Sequence, residues 1–151
     1  MMQRPSLKLP RELRSLNKLI GNWSVTIRWS EETHKLIGGP KELEAEAKIS
    51  LMKEEGGFLH YQMGPAHWII GGDESSKAFV ALYSDERLIS HVYKMSFVRG
   101  VWKIWRDAPK FRQRFEGHVR ANGRRIDARW EKSEDGKVWL HDFDMTFVRS
   151  D

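Results

Sequence analysis

Apolar and polar residues alternate with a period of two through most of the second half of this chain, and this pattern constrains its fold most strongly. Successive side chains of a strand point to opposite faces, so each alternating run predicts a strand with one buried face. Turn signals such as Arg99-Gly100 and Asn122-Gly123 separate the runs. The predicted strands here are Leu88–Val98, Val101–Arg106, Phe111–Val119, Arg124–Glu131 and Lys137–Arg149.

The first half adds a short helix and further strands. Leu13, Leu16, Leu19 and Ile20 fall on one helical face, which predicts a helix over Arg11–Ile20 that ends at Gly21. The period then changes to two, and we expect a first strand over Asn22–Ser30. Glu31–Lys41 is predicted to be a loop. The remaining predicted strands are Lys41–Leu51, Phe58–Met63, Ala66–Ile70 and Lys77–Tyr83, with a turn at Glu55-Gly56-Gly57.

Length and composition narrow the class of protein. The chain has 151 residues, 40% of them hydrophobic, which predicts one domain over 1–151 with a loose arm over 1–10. Without Cys there is neither a disulfide framework nor a thiolate metal site. No run resembles a signal peptide or a membrane span, so a soluble cytoplasmic protein is expected. A net charge of +5 spread along the chain favours a solvated surface over a nucleic-acid interface.

About ten short strands joined by tight turns predict an all-β fold, an antiparallel up-and-down meander. A sheet of this size curls, and closure into a barrel removes its exposed edges. Such a barrel has room for one small ligand. A homodimer, formed by edge pairing or face packing, is compatible with the pattern.

The segment Gly21-Asn22-Trp23, preceded by a short helix, resembles the Gly-x-Trp opening of the calycin superfamily, which includes lipocalins and fatty-acid-binding proteins. The resemblance implies that Trp23 packs across the closed end of a barrel under a basic side chain from the last strand. Arg149 is placed to supply that side chain.

The second half is similar to a bacterial family of uncharacterised lipocalin-like proteins, the domain-of-unknown-function 1579 group. The similarity rests on segments such as Tyr93-Lys94-Met95, Gly100–Asp107, Phe111–Phe115, Arg129–Ser133 and Trp139–Arg149. It implies a ten-stranded calycin-like barrel with a short N-terminal helix and brings no reaction with it. Relatives of that family include nitrobindin-like barrels, which bind haem through one His on the last strand.

The aromatic faces, if turned inward, define a candidate binding site. An apolar pocket with a few converging polar groups is the usual form of a ligand site, and Arg106, Tyr93 and Gln113 would hold a carboxylate or carbonyl there. We therefore expect a small apolar or amphipathic partner with a polar or anionic end. The candidate ligand-binding residues are His91, Tyr93, Trp102, Ile104, Arg106, Gln113, Phe115, Trp130, Trp139, His141 and Phe143.

Two alternatives use the same barrel. In the first, the protein is an isomerase or cyclase in which His91, Tyr93 or His141 acts as acid or base. In the second, His141 on the last strand is the ligand of a haem iron. No close-range spacing of metal ligands occurs, so neither a metal nor a cofactor is expected. Trp68 and Trp105 cannot be assigned to either face.

Overall fold

The computed structural model describes residues 11–52, 57–73, 75–76 and 78–151. The predicted arm over 1–10, most of the predicted turn Glu55-Gly56-Gly57 and the start of the predicted strand Lys77–Tyr83 lie outside the described residues. The elements are a 3-10 helix Arg11–Leu19, β1 Gly21–Trp29, α1 Glu31–Ile37, β2 Glu42–Met52, β3 Phe58–Met63, β4 Ala66–Gly72, β5 Phe79–Ser84, β6 Ser90–Val98, β7 Val101–Arg106, β8 Arg112–Arg120, a 3-10 turn Ala121–Gly123, β9 Arg125–Ser133 and β10 Leu140–Arg149.

The ten strands form a closed antiparallel barrel in which each strand pairs with its neighbours in sequence. β1 completes the circle by pairing with β10, with Trp23 opposite Arg149 and Val25 opposite Phe147. The predicted all-β, up-and-down barrel is confirmed. Most strand boundaries differ from the predicted ones by one or two residues, and β3 and β7 coincide with them.

One end of the barrel is closed by the N-terminal 3-10 helix, whose Leu13, Leu16 and Leu19 are buried. Behind them, the indole Nε1 of Trp23 donates to the Leu19 carbonyl at 3.0 Å. The expected basic side chain is present, since the Arg149 guanidinium lies 4.2 Å from the centre of the Trp23 ring.

Gly21 joins this helix to β1 in a way that only glycine permits. Its φ is +145°, and a Cβ atom placed there would lie 2.2 Å from Nη1 of Arg149. The glycine therefore makes room for the arginine as well as ending the helix.

The predicted loop Glu31–Lys41 is wrong in its first part, because Glu31–Ile37 forms helix α1. Ser30 caps the helix, its Oγ accepting from the Thr33 amide at 3.2 Å, and Gly38 ends it with φ 69°. Two glutamates in the first turn complement the helix dipole. These are ordinary signals of helix ends. The helix itself has only seven residues, too few to show a hydrophobic period.

A β-bulge interrupts β10. His141 pairs with Glu131 and Phe143 pairs with Trp130, so that Asp142 is the extra residue between them. Beyond the bulge the predicted alternation holds, and Met145 and Phe147 are buried. Before it the two faces are exchanged, with consequences for the site that are described below.

Among the described residues no helix is both long and apolar enough to cross a membrane.

Candidate functional site

The interior of the barrel contains a cavity of about 470 Å³. This volume falls within the range of small-molecule sites in proteins. Helix α1 covers part of the opening and contributes Thr33 and Ile37 to the lining. The other lining residues, mostly aromatic or aliphatic, are Ile27, Trp29, Tyr61, Met63, Ala66, Trp68, Tyr83, Arg87, His91, Tyr93, Trp102, Ile104, Phe111, Gln113, Phe115, Trp130, Lys132, Asp142, Phe143 and Met145.

Aromatic rings form the walls of the cavity. Trp68 and Trp130 lie 6.1 Å apart, centre to centre, with their planes inclined by 22°. Trp130 continues the wall to Phe143 at 6.3 Å, and Trp68 contacts Tyr93 at 4.9 Å. Such walls favour the burial of a planar or extended apolar molecule.

A polar group of side chains interrupts the wall where β6, β7 and β8 meet. The Tyr93 hydroxyl donates to Oε1 of Gln113 and lies 3.5 Å from Nδ1 of His91. Arg106 is the strand partner of Gln113. Its Nη1 is buried and has no hydrogen-bond partner among the described residues. One nitrogen of this cation therefore has no acceptor among the described residues, while the guanidinium also interacts with the Tyr93 hydroxyl.

Burial, together with the nearby arginines, sets the protonation of the neighbouring groups. Burial raises the pKa of Tyr93 to about 12, although Arg106 opposes the shift, so the phenol is a neutral donor. Burial, and then the nearby Arg106 and Arg87, lower the pKa of His91 below its ordinary value. His91 is consequently a neutral imidazole at pH 7.

Arg87, on the rim of the same region, has its own counter-ion. Asp85 accepts from Nη2 of Arg87 at 2.7 Å and from the Tyr83 hydroxyl at 2.6 Å. The hydrogen bonds from Arg87, followed by the one from Tyr83, hold the pKa of Asp85 far below its usual range. Arg106 is not paired in this way, because none of the described carboxylates makes a salt bridge with it.

A second polar group joins helix α1 to the barrel. The Thr33 hydroxyl donates to Oδ1 of Asp142 at 2.8 Å and accepts from Nζ of Lys132 at 3.2 Å. Lys132 and Asp142 are themselves 3.6 Å apart. We call these three residues the latch. It fixes the helix across the opening and leaves no unbalanced charge there.

The structure brings together most of the residues predicted from the sequence. The cavity is lined by His91, Tyr93, Trp102, Ile104, Gln113, Phe115, Trp130 and Phe143. Arg106 is not one of the lining residues, but it is the strand partner of Gln113 and interacts with Tyr93, both of which line the cavity.

The expected inward positions of Trp139 and His141 are wrong. Trp139 lies on the outer face, and the guanidinium carbon of Arg114 is 4.1 Å from the centre of the Trp139 ring. Nε2 of His141 contacts Oδ1 of Asp144 at 3.0 Å, also outside the barrel. Asp142, expected on the outside, lines the cavity instead. The bulge in β10 causes all three changes, because one extra residue reverses the facing of every residue before it.

Sequence reasoning missed the contributions of β3, β4, β5 and helix α1. Trp68 could not be assigned because its strand is too short to show a period, and it proves to be 7% exposed and inward-facing. Trp105 is on the outer face, between Lys94 and Arg114. Tyr83 lies on an alternating strand and could have been found; Arg87 and Thr33 lie in segments without any period.

Another hollow, of about 640 Å³, lies on the outer face of β7 to β10. Its charged groups largely pair with one another, as in Arg114 with Glu131 at 2.8 Å and Arg129 with Asp144 at 3.1 Å. Such exposed pairs form a charge ladder and leave little unsatisfied potential for a ligand. No group of three or more metal-binding side chains occurs within the described part of the chain.

Comparison with known proteins supports the fold. A scan against protein-family models gives no match, and a search of curated proteins finds none either. The crystal structure of Rv2717c from M. tuberculosis superposes with a TM-score of 0.57 at 11% sequence identity, over 95% of this chain and 100% of that one. At this identity the likeness concerns the fold alone. The likeness agrees with the closed ten-stranded antiparallel barrel.

Proposed function

We propose that this barrel binds a small, largely apolar molecule with an anionic end, the apolar part between the aromatic walls and the anion toward Arg106. The observation that carries the proposal is the buried Nη1 of Arg106, which lacks a partner among the described residues. A buried donor without an acceptor costs free energy, and an anion would remove that cost.

The neighbouring groups support an anion rather than a cation. Tyr93 is a neutral donor with its pKa raised, and His91 is neutral with its pKa lowered by burial and by two arginines. Neither neighbour carries a negative charge that would repel an anion. A carboxylate accepts well from a guanidinium, because charge-assisted hydrogen bonds are stronger than neutral ones.

A matched pair of fluorescent probes tests the proposal. Pyrenebutyrate and its primary amide have the same apolar body and differ in charge at one end. We expect the acid to bind about tenfold or more tightly than the amide, and Arg106→Met to abolish the difference. Arg120→Met, on the exposed outer face, is the control that keeps the preference. Equal affinities in the unmodified protein, or no binding of either probe, would contradict the proposal.

Acid–base catalysis in the same cavity is the second candidate. His91 is a free base beside a protonated phenol, with its Nδ1 3.5 Å from the Tyr93 hydroxyl. A carbonyl compound with an acidic α-hydrogen, incubated in D₂O, would then incorporate deuterium with the protein and not with His91→Gln. Incorporation at the buffer rate in both samples removes this candidate.

Membership of the domain-of-unknown-function 1579 group stays a prediction from the sequence. A sequence profile built from close homologues of this chain tests it, since the group should be retrieved with Trp102 and Trp130 aligned. Haem ligation by His141 is no longer proposed, because that residue faces away from the cavity.

A further inference from the structure

The outer face of the hairpin formed by β3 and β4 holds two histidines in direct contact. Nε2 of His60 and Nδ1 of His67 are 2.9 Å apart. In the strand register, His60 faces Ile69 and Gln62 faces His67, so the two histidines are diagonal neighbours on one face. Both are half-buried, and neither belongs to the cavity or to the latch.

The ring geometry shows how the pair is arranged. The ring centres are 5.1 Å apart and the planes are inclined by only 1°. With a nitrogen-to-nitrogen contact of 2.9 Å, these values describe two nearly coplanar rings in line rather than a face-to-face stack. One ring nitrogen must donate a proton to the lone pair of the other, so both rings have a nitrogen directed at the same small region of space.

The surroundings of His60 favour its neutral form. Burial, then His67 and Lys48, lower the pKa of His60. Neutral imidazole is the form that binds transition metals. If the donating ring changes tautomer, its proton moves to the ring nitrogen that points away from the contact. Both facing nitrogens then carry a lone pair, and neither ring has lost a proton.

We propose that His60 and His67 form a two-histidine site for a tetragonal transition-metal ion, Cu²⁺ most strongly. With metal–nitrogen bonds of about 2.0 Å, two cis nitrogens are about 2.8 Å apart at a square-planar centre and about 3.3 Å at a tetrahedral one. The observed 2.9 Å is the length of an N–H···N hydrogen bond, and it leaves the two nitrogens near enough for one ion to reach both. Both rings must turn outward to direct their lone pairs at one ion, and solvent supplies the remaining ligands.

The choice of metal follows from the donors. Imidazole suits copper, nickel and zinc, and Cu²⁺ heads the order of affinities for such ligands. No third metal-binding side chain joins the pair among the described residues, so the site is open. Lys48 is a cation near His60, and we therefore expect the site to hold metals less tightly than a three-ligand centre.

Copper binding to the untagged, full-length protein tests the site. We expect isothermal titration with CuCl₂, in the presence of glycine as a weak competitor, to show one ion bound. His60→Gln and His67→Gln should each weaken binding about tenfold or more. His118→Gln, which removes an exposed histidine on β8, is the matched control that keeps the affinity.

Electron paramagnetic resonance gives a readout that does not depend on affinity. The Cu²⁺ spectrum should show coupling to two imidazole nitrogens in the unmodified protein and to one in either variant. Circular dichroism establishes that the variants are folded. A spectrum with a single nitrogen, or equal copper binding by His60→Gln and the unmodified protein, would overturn the proposal.

Discussion

The guanidinium of Arg149, on the last strand, lies 4.2 Å above the centre of the Trp23 ring on the first. The same side chain donates to the carbonyls of Lys18 at 2.6 Å, Ile20 at 2.7 Å and Gly123 at 2.9 Å. One side chain thus ties the closing strand, the 3-10 helix and a hairpin turn to the first strand. A planar fork with five donors can make all these contacts at once.

Arg149→Met keeps most of the aliphatic packing and removes these polar contacts. We expect it to lower the free energy of unfolding by about 3 kcal/mol, since charged hydrogen bonds and a shielded cation–π contact are both lost. Urea denaturation followed by Trp fluorescence measures the change. Arg120→Met, on the outer surface, should cost less than about 0.5 kcal/mol. Equal losses of unfolding free energy in the two variants would show that the contacts of Arg149 do not stabilise the fold.

Tyr93→Phe removes the donor that satisfies Gln113. The amide oxygen is then left without its partner in a half-buried position, and we expect a loss of about 1–2 kcal/mol in stability. Tyr61→Phe is the matched control, because the Tyr61 hydroxyl makes no side-chain hydrogen bond among the described residues although the residue is buried. Urea denaturation distinguishes the two. A Tyr61→Phe variant that loses as much as Tyr93→Phe would contradict this account of Tyr93.

Thr33→Val breaks the latch while keeping the shape of the side chain. Without the hydroxyl, helix α1 loses its side-chain hydrogen bonds to Asp142 and Lys132 and should open more often. We expect association and dissociation rates of a cavity probe to rise together, with a smaller change in Kd. Stopped-flow fluorescence measures both rates. Thr26→Val, on the outer face of β1, should leave them unchanged, and unaltered rates in Thr33→Val would show that access does not pass under the helix.

The lowered pKa of His91 predicts a dependence of stability on pH. The unfolded chain, with an ordinary imidazole pKa near 6.5, binds more protons than the folded one as the pH falls through that value. Stability is therefore expected to decrease between pH 7 and about pH 5.5, and less steeply in His91→Gln. His60→Gln should have a similar effect, because the pKa of His60 is lowered as well.

Urea midpoints measured across this range test the slope. His34→Gln in helix α1, where the histidine contacts the Gly39 carbonyl, is the control for the loss of a histidine. A slope that is the same in His91→Gln and in the unmodified protein would contradict the assignment.

Much of the barrel could be predicted because its strands obey a single period. β2 shows this well: Ala and Glu favour helices, yet the strict alternation from Leu43 to Leu51 indicates a strand and the strand is present. The hairpin at Asn122-Gly123 was also predicted from local chemistry, and Asn122 adopts φ 56° there. In both cases the local signal and the long-range pairing agree.

The errors occur where one residue changes the outcome. The bulge at Asp142 exchanges the faces of Trp139 and His141, and an alternation rule has no means of placing an extra residue. Helix α1 is too short for a hydrophobic period, although Ser30 and Gly38 mark its ends. Arg106 was found since it continues the row of Trp102 and Ile104, but only three dimensions show that its Nη1 has no partner among the described residues.

The extra residue in β10 also shows that the length of a strand decides which side chains face the interior of the barrel. Deleting Asp142 would restore uninterrupted pleating and carry an imidazole and an indole from the solvent side into the lumen. The lumen would lose a carboxylate and gain two rings in the same step. A homologue with a one-residue deletion at this position would therefore have the same barrel and a different interior.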